Sequence, residues 1–158
     1  MRVMKIEVQN ETVTRALADL AGRLTDMSAP MRAIAAILEE NVRRRFATET
    51  DPEGKRWAPH APATVQSYPK QGNRRLLDRY GDMLRSLNSQ SDATSATIGF
   101  SAVTSKHNGQ RTAYAVYHEF GTKKMPARKM LFADPKTGQI APADETEILK
   151  ILTHHLTP

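Results

Sequence analysis

Apolar positions along this chain follow two different periods, and the switches between them mark its elements. Val3, Ile6 and Val8 sit between polar neighbours and predict a short strand over residues 3–8. From Thr12, read as an N-cap, Ala16, Leu17, Leu20, Ala21 and Leu24 fall at helical spacing, until Asp26-Met27-Ser28-Ala29-Pro30 interrupts. A second helix begins near Pro30, whose missing N–H costs nothing in a first turn. Met31, Ile34, Ala35, Leu38, Val42 and Phe46, with Ile37 beside them, form one apolar stripe. The opposite face carries Glu39, Glu40, Arg43 and Arg44, with Glu40 and Arg44 at i,i+4 spacing. On that face the acids precede the bases, as suits a core helix; a membrane-surface helix is basic along its whole polar face.

The periodicity stops between Glu49 and Arg75. Asp51-Pro52-Glu53-Gly54 is turn chemistry, and Pro59, Pro62, Pro69 and Gly72 follow. A single helical turn is expected over Thr64–Tyr68. So long an irregular segment points to a functional or partner-ordered loop. Trp57, the one tryptophan, lies inside it and is expected to pin the loop to the chain's own core.

Asp78 to Leu87 predicts a third helix, with Tyr80, Met83, Leu84 and Leu87 on one side, and Asn88–Asp92 a turn-rich break. Ala93–Phe100 reads as a strand showing Ala96, Ile98 and Phe100 on one face. Lys106-His107-Asn108-Gly109 suits a hairpin tip, because Asn-Gly takes positive φ easily. Thr112–Tyr117 would be the returning strand. Tyr114, Tyr117 and Phe120, at i, i+3 and i+6, offer a competing reading: a short helix capped by Gly121. Pro126–Phe132 continues extended. A C-terminal helix starts at Asp144 or Thr146, with Ile148, Leu149, Ile151, Leu152 and Leu156 toward the core. The fold class is α+β: a small antiparallel sheet with a long hairpin, packed against a long amphipathic helix and a C-terminal helix.

Composition bounds the size of the core. The 158 residues are 39% hydrophobic and 25% charged, which predicts one domain over 1–158 with an irregular Pro-rich loop at 49–75 and a hairpin loop at 101–111. No stretch approaches the ~20 apolar residues of a membrane span. The first residues lack the apolar run of a signal peptide, so export by that route is not expected. Zero cysteines exclude disulfides, thiolate metal sites and a cysteine nucleophile, and fit a reducing cytoplasm. The net charge of +6 is unevenly spread: residues 91–138 carry seven basic and three acidic groups, the tail from 139 one and three. The excess centres on Lys123, Lys124, Arg128 and Lys129, a basic patch that suits nucleic acid or an acidic protein surface.

No catalytic constellation emerges. His118-Glu119 opens like a zinc-protease helix, but the second imidazole is due four residues after the first, where Thr122 stands. His154 and His155 are adjacent, point to different helix faces and cannot chelate together. His60 and His107 lie in loops with no acid at a fixed spacing. Neither the P-loop nor the dinucleotide glycine pattern occurs. Asp78 and Asp82, at i,i+4, repel unless a cation such as Arg79 or Arg85 lies near. No catalytic residue, metal ligand or cofactor is assigned.

Three islands, in this order, carry a resemblance. They are Phe46 followed by Asp51-Pro52-Glu53-Gly54-Lys55-Arg56-Trp57-Ala58-Pro59, then Leu76-Leu77-Asp78-Arg79-Tyr80-Gly81-Asp82-Met83-Leu84-Arg85-Ser86-Leu87, then Tyr114-Ala115-Val116-Tyr117-His118-Glu119-Phe120-Gly121 with Pro126-Ala127-Arg128. With the leading and closing helices, over residues 28–155, the chain resembles the phage virion morphogenesis family, which includes the tail-completion proteins of Mu-like and P2-like contractile-tailed phages. The resemblance implies a non-enzymatic role in tail completion and head–tail (neck) joining. It also implies a small α+β subunit of a homo-oligomeric ring, often six-fold in related proteins, around the DNA channel. The implied partners are copies of itself and tail-tube, terminator or neck-connector proteins, with only incidental proximity to DNA and no membrane. The implied place is the virion tail or neck, after synthesis in the host bacterial cytoplasm. Trp57 would anchor the Pro-rich loop, and Tyr114, Phe120 and Gly121 the tight turn into Pro126-Ala127-Arg128, with Tyr117 beside them as an interface candidate. Residues 1–27 match the family loosely. The competing reading is a small basic nucleic-acid-binding module using Lys123, Lys124, Arg128 and Lys129.

Overall fold

The computed structural model describes residues 11–68, 70, 74–101, 103, 104, 111, 112 and 114–157. Its elements, in order, are α1 (Glu11–Thr25), α2 (Ser28–Thr48), α3 (Pro62–Ser67), α4 (Asp82–Arg85), β1 (Leu87–Ser91), β2 (Ala96–Phe100), β3 (Val103–Thr104), β4 (Arg111–Thr112), α5 (Tyr114–Phe120) and α6 (Pro142–Leu156). This is an α+β fold in which the long helix α2 packs against the β1–β2 ladder on one side and α6 on the other. The predicted strand over 3–8 and the hairpin tip at Lys106–Gly109 lie outside the described residues.

The stripe on α2 forms the centre of the core. Ile34, Ala35, Val42 and Phe46 are buried, while Met31, Ile37 and Leu38 are half-buried at the edge. Phe46 meets Trp57 edge-on at 5.5 Å between ring centroids and Phe100 at 6.0 Å, so one side chain joins helix, loop and sheet. Val42, Leu76, Met83, Leu87 and Met130 complete this cluster. Two polar residues of α2, Asn41 and Arg45, are buried with the stripe because their face meets α6. Arg45 pairs with Asp144 there, and Asn41 Nδ2 donates to Asp144 Oδ1 (2.9 Å) and Glu147 Oε2 (2.6 Å). A charge removed from water must be met by partners like these.

Turn chemistry shapes the exit from α2. Glu49 takes the left-handed conformation (φ 56°), and its Oε1 accepts the Leu76 N–H at 2.8 Å. Asp51 Oδ1 accepts the N–H groups of Glu53 and Lys55, both at 2.9 Å, and Gly54 supplies φ 84°. The chain doubles back, Thr50 bridging Arg56, and delivers Trp57 to the core as the sequence predicted. The helical turn of the Pro-rich loop forms two residues early, as α3, because Pro62 suits a first helical position.

Elsewhere the structure departs from the pattern. The helix predicted over 78–87 shrinks to α4, since Leu77 and Gly81 both take positive φ and Leu87 leaves to start a strand. The break predicted at Asn88–Asp92 is instead strand β1, paired antiparallel with β2 from Leu87↔Phe100 to Ser91↔Ala96. Asp92 closes the turn between them by accepting the N–H and hydroxyl groups of Thr94 and Ser95, bonds that hold its carboxyl down at about 2. The hairpin partners are β3 and β4, and residues 114–120 take the competing helical form. On α2 the i,i+4 ion pair joins Glu39 to Arg43 (2.7 Å), while Arg44 turns to Asn41 Oδ1. The helix α6 begins at Pro142, and Leu149, predicted inward, is 55% exposed. The helix α1 forms but buries none of its residues, so its apolar stripe is not core.

The Arg45–Asp144 pair yields a prediction. Asp144→Ala strands a buried guanidinium and should cost about 3–5 kcal/mol in urea unfolding, whereas truncating the exposed Leu149 to Ala should change stability by less than about 1 kcal/mol.

Candidate functional site

The residues singled out in the third island converge on α5, a seven-residue helix with three distinct faces. At 3.6 residues per turn, residues four apart share a face. Ala115 and Glu119 point inward, Ala115 packing on the core cluster and Glu119 only 4% exposed. Tyr114 and His118 line a groove. Val116, Tyr117 and Phe120 point out, each 52–53% exposed.

Glu119 holds the turn that follows. Its Oε2 accepts the Met130 N–H at 2.6 Å, its Oε1 the Phe132 N–H at 2.9 Å, and both oxygens the Leu131 N–H at 3.2 Å. Three successive backbone amides around one carboxylate satisfy a buried charge without a cation. Gly121 makes the turn possible: its φ is 71°, and a Cβ there would stand 2.8 Å from the Ala127 nitrogen. Thr122 then bridges Met125, and Arg128 returns its N–H to His118 O at 2.6 Å. Pro126 is exposed on the rim of this turn.

Of the four residues of the basic patch, only Lys123 and Lys124 are exposed. Arg128 is 6% exposed, donating through Nε to Ala58 O and through Nη2 to Pro59 O, both at 2.8 Å. The ammonium of Lys129 lies 2.6 Å from Ala133 O and 3.5 Å from Glu53. The patch is therefore corrected to two lysines, because Arg128 is taken up by carbonyls of the Pro-rich loop and Lys129 by Ala133 O and Glu53. Trp57 is likewise spent inside the molecule, its Nε1 donating to Lys129 O at 2.9 Å.

The groove beside α5 has a volume of about 640 Å³, and its walls come from the Pro-rich loop, residues 77–83 and the turn 124–128. Arg79 lies over the rings of Tyr68 (4.5 Å) and Tyr80 (5.3 Å) and donates to Ser67 O at 2.8 Å. Burial raises the Tyr68 hydroxyl pKa against the opposing pull of Arg79. Burial, and then the positive charge of Arg128, lower His118 to about 4. His60 meets Tyr68 at 5.0 Å between ring centroids, tilted by 43°; His154 is exposed and His155 half-buried near Arg23 O. Among the described residues no group of three or more His, Asp or Glu side chains could hold a metal ion, and no helix is long and apolar enough to cross a membrane. Sequence reasoning missed Glu119, Arg45 and Asp144. The inward i,i+4 pairing of Glu119 with Ala115 on a short helix was the available signal.

These observations describe an α+β chain with an exposed aromatic helix face beside a groove. The chain matches the sequence profile of the phage virion morphogenesis family over residues 8–157 and belongs to that family, a structural one. No curated protein and no solved structure matches it. It is a phage virion morphogenesis protein.

The inward and groove faces of α5 can each be tested by substitution. Glu119→Gln places amide hydrogens against backbone donors and should cost about 2–4 kcal/mol in urea unfolding. His118 is neutral in the fold, while its unfolded pKa is near 6.5; protonation therefore favours the unfolded chain, and stability is lost as pH falls from about 6.5 toward 4. Allowing for its partial exposure, the loss between about pH 7 and pH 5 should be about 1–2 kcal/mol, and His118→Gln should flatten the stability profile across that window.

Proposed function

We propose that this protein completes the phage tail and joins it to the filled head, as a non-enzymatic subunit of a ring at the head-proximal end of the tail or in the neck. One observation carries the reading within the family: the outer face of α5. Val116, Tyr117 and Phe120 stay more than half exposed on a helix whose other faces are fixed by Glu119 and the groove. Large apolar side chains held rigidly in water favour a protein interface, and Tyr and Phe suit its centre. A closed ring needs one patch to meet a different patch on the next copy. The α5 face supplies one patch, and the exposed side chains of Leu17, Leu20 and Leu24 on α1 supply a second of different shape. Copies of the chain, six in this reading, would stack on a tail terminator or neck connector. The two exposed lysines lie near DNA only incidentally.

The test is infection by the parent phage carrying Tyr117→Asp and Phe120→Asp in this gene. Full heads and unjoined tails should accumulate in electron micrographs, with infectious yield falling at least roughly a hundred-fold, since central interface aromatics dominate docking. Normal joining would overturn the proposal. Lys123→Glu, outside the groove, should leave the yield unchanged; a collapse there would point to DNA contact as the working interaction.

A further inference from the structure

We propose that the groove beside α5 binds an extended, proline-containing segment of another virion protein through a carboxylate side chain on that segment. The source of the segment rests on the family membership; the chemistry rests on the groove alone, whether or not the chain forms a ring.

The first observation is where unmet polarity lies. Among the described residues, the buried side-chain nitrogens without a hydrogen-bond partner are Arg79 Nε and His118 Nδ1. Both residues line this one groove. Buried polar atoms are nearly always paired, so two exceptions in one place call for an explanation. A polypeptide can meet both, because its backbone offers a carbonyl acceptor and an N–H donor at almost every residue. Arg79 Nε can only donate, whereas the neutral His118 ring can present Nδ1 in either role. Both atoms are shut off by the surrounding side chains. The ring of Tyr80, 58% exposed, lies 5.3 Å from the Arg79 guanidinium on the groove wall.

The second observation is charge. Arg79, Arg128 and Lys124 face the groove, and the carboxylate in its lining, Asp82, is paired with Arg85 at 2.6 Å. His118 adds no charge near neutrality. The lining is therefore net positive, and Lys124 stands exposed at the rim, where a guest carboxylate would arrive. The third observation is the character of the walls. Tyr68, Tyr80 and Tyr114 with Pro59 and Pro126 make an aromatic and proline surface, the kind that receives preformed extended chains. Nucleic acid is the less suitable guest. Its phosphates offer acceptors only, and two of the three cations already hold backbone carbonyls of the Pro-rich loop and the end of α3.

The test is an NMR titration of the full chain with the peptide acetyl-Pro-Pro-Glu-Phe-Pro-Pro-amide, its Glu→Gln analogue and a ten-residue oligothymidylate. The acidic peptide should give saturable shifts at Thr64, Gly81, Lys124 and their neighbours in the groove. The Gln analogue should bind about two- to five-fold more weakly, as loss of one partly screened ion pair predicts. Lys124→Glu, an exposed change that leaves the core intact, should weaken the acidic peptide at least as much while the thermal melt stays unchanged. Tyr80→Ala should also weaken binding. Absence of saturable shifts at low-millimolar peptide would overturn the proposal, as would shifts outside the groove or equal affinity for the Gln analogue. Tighter binding of the oligothymidylate at the same residues would reassign the groove to nucleic acid. The titration uses the isolated chain, so its failure leaves the infection experiment untouched, and failure of that experiment leaves the groove standing.

Discussion

Residues 128–132 cross the middle of the molecule without joining a helix or a strand, so side chains must meet the polar groups of their backbone. Arg128 gives its N–H to His118 O, Trp57 donates to Lys129 O, and Glu119 receives the N–H groups of Met130, Leu131 and Phe132. Arg45 donates to Met130 O at 2.9 Å and pairs with Asp144. Met130, with no exposed surface, is the point where these contacts meet. The segment thus plays the part of a central strand whose neighbours are single side chains from α2, α5 and the Pro-rich loop.

That arrangement explains why charged groups occupy the interior of so small a chain. A buried ion pair adds little net stability over apolar packing of similar volume, but removing one partner is costly. Here each charge has the other as its ion-pair partner and a neutral group besides: Asp144 also receives Asn41, and Arg45 also serves a carbonyl. An apolar replacement of Arg45 would leave Met130 O without that donor. Polar satisfaction, more than hydrophobic area, therefore fixes how α6, α5 and the Pro-rich loop sit around α2. Apolar packing contributes the shared hub of Phe46, Trp57 and Met130.

The long periodic segments were legible because burial of an apolar face dictates their spacing. The helix α2, the turn at Asp51–Gly54 and the inward Trp57 follow directly from residue type and position. What escaped was polar. Arg45 carries no signal of its own and Asp144 reads only as a helix start, since their pairing spans 99 residues of sequence and leaves no local pattern. Strand β1, Leu-Asn-Ser-Gln-Ser, has one apolar residue, so its pairing with β2 comes from the ladder and from Ser89 bonding Glu39 on α2, not from alternation. The stripe on α1 has the opposite fault: its period predicts a helix correctly, but no period says what covers the stripe, and this chain leaves it in water. The resemblance singled out Tyr114–Arg128, yet buried cations and exposed aromatics there were distinguishable only once Arg128 was seen holding Ala58 and Pro59.

The distribution of roles around α5 ties stability to assembly. A helix of two turns has no stability of its own, so its position depends on the carboxylate of Glu119 and the turn at Gly121. The same anchoring fixes Tyr117 and Phe120 toward water and His118 against the groove, because adjacent residues on a helix differ by about 100° in direction. A change at the buried carboxylate must therefore move both outer surfaces together, whereas a change at Tyr117 or Phe120 alters one surface and leaves the frame intact. Two surfaces set at a fixed angle by one buried charge can receive two partners in a defined relative orientation. The proposed role, joining parts of a particle, needs that geometric constraint.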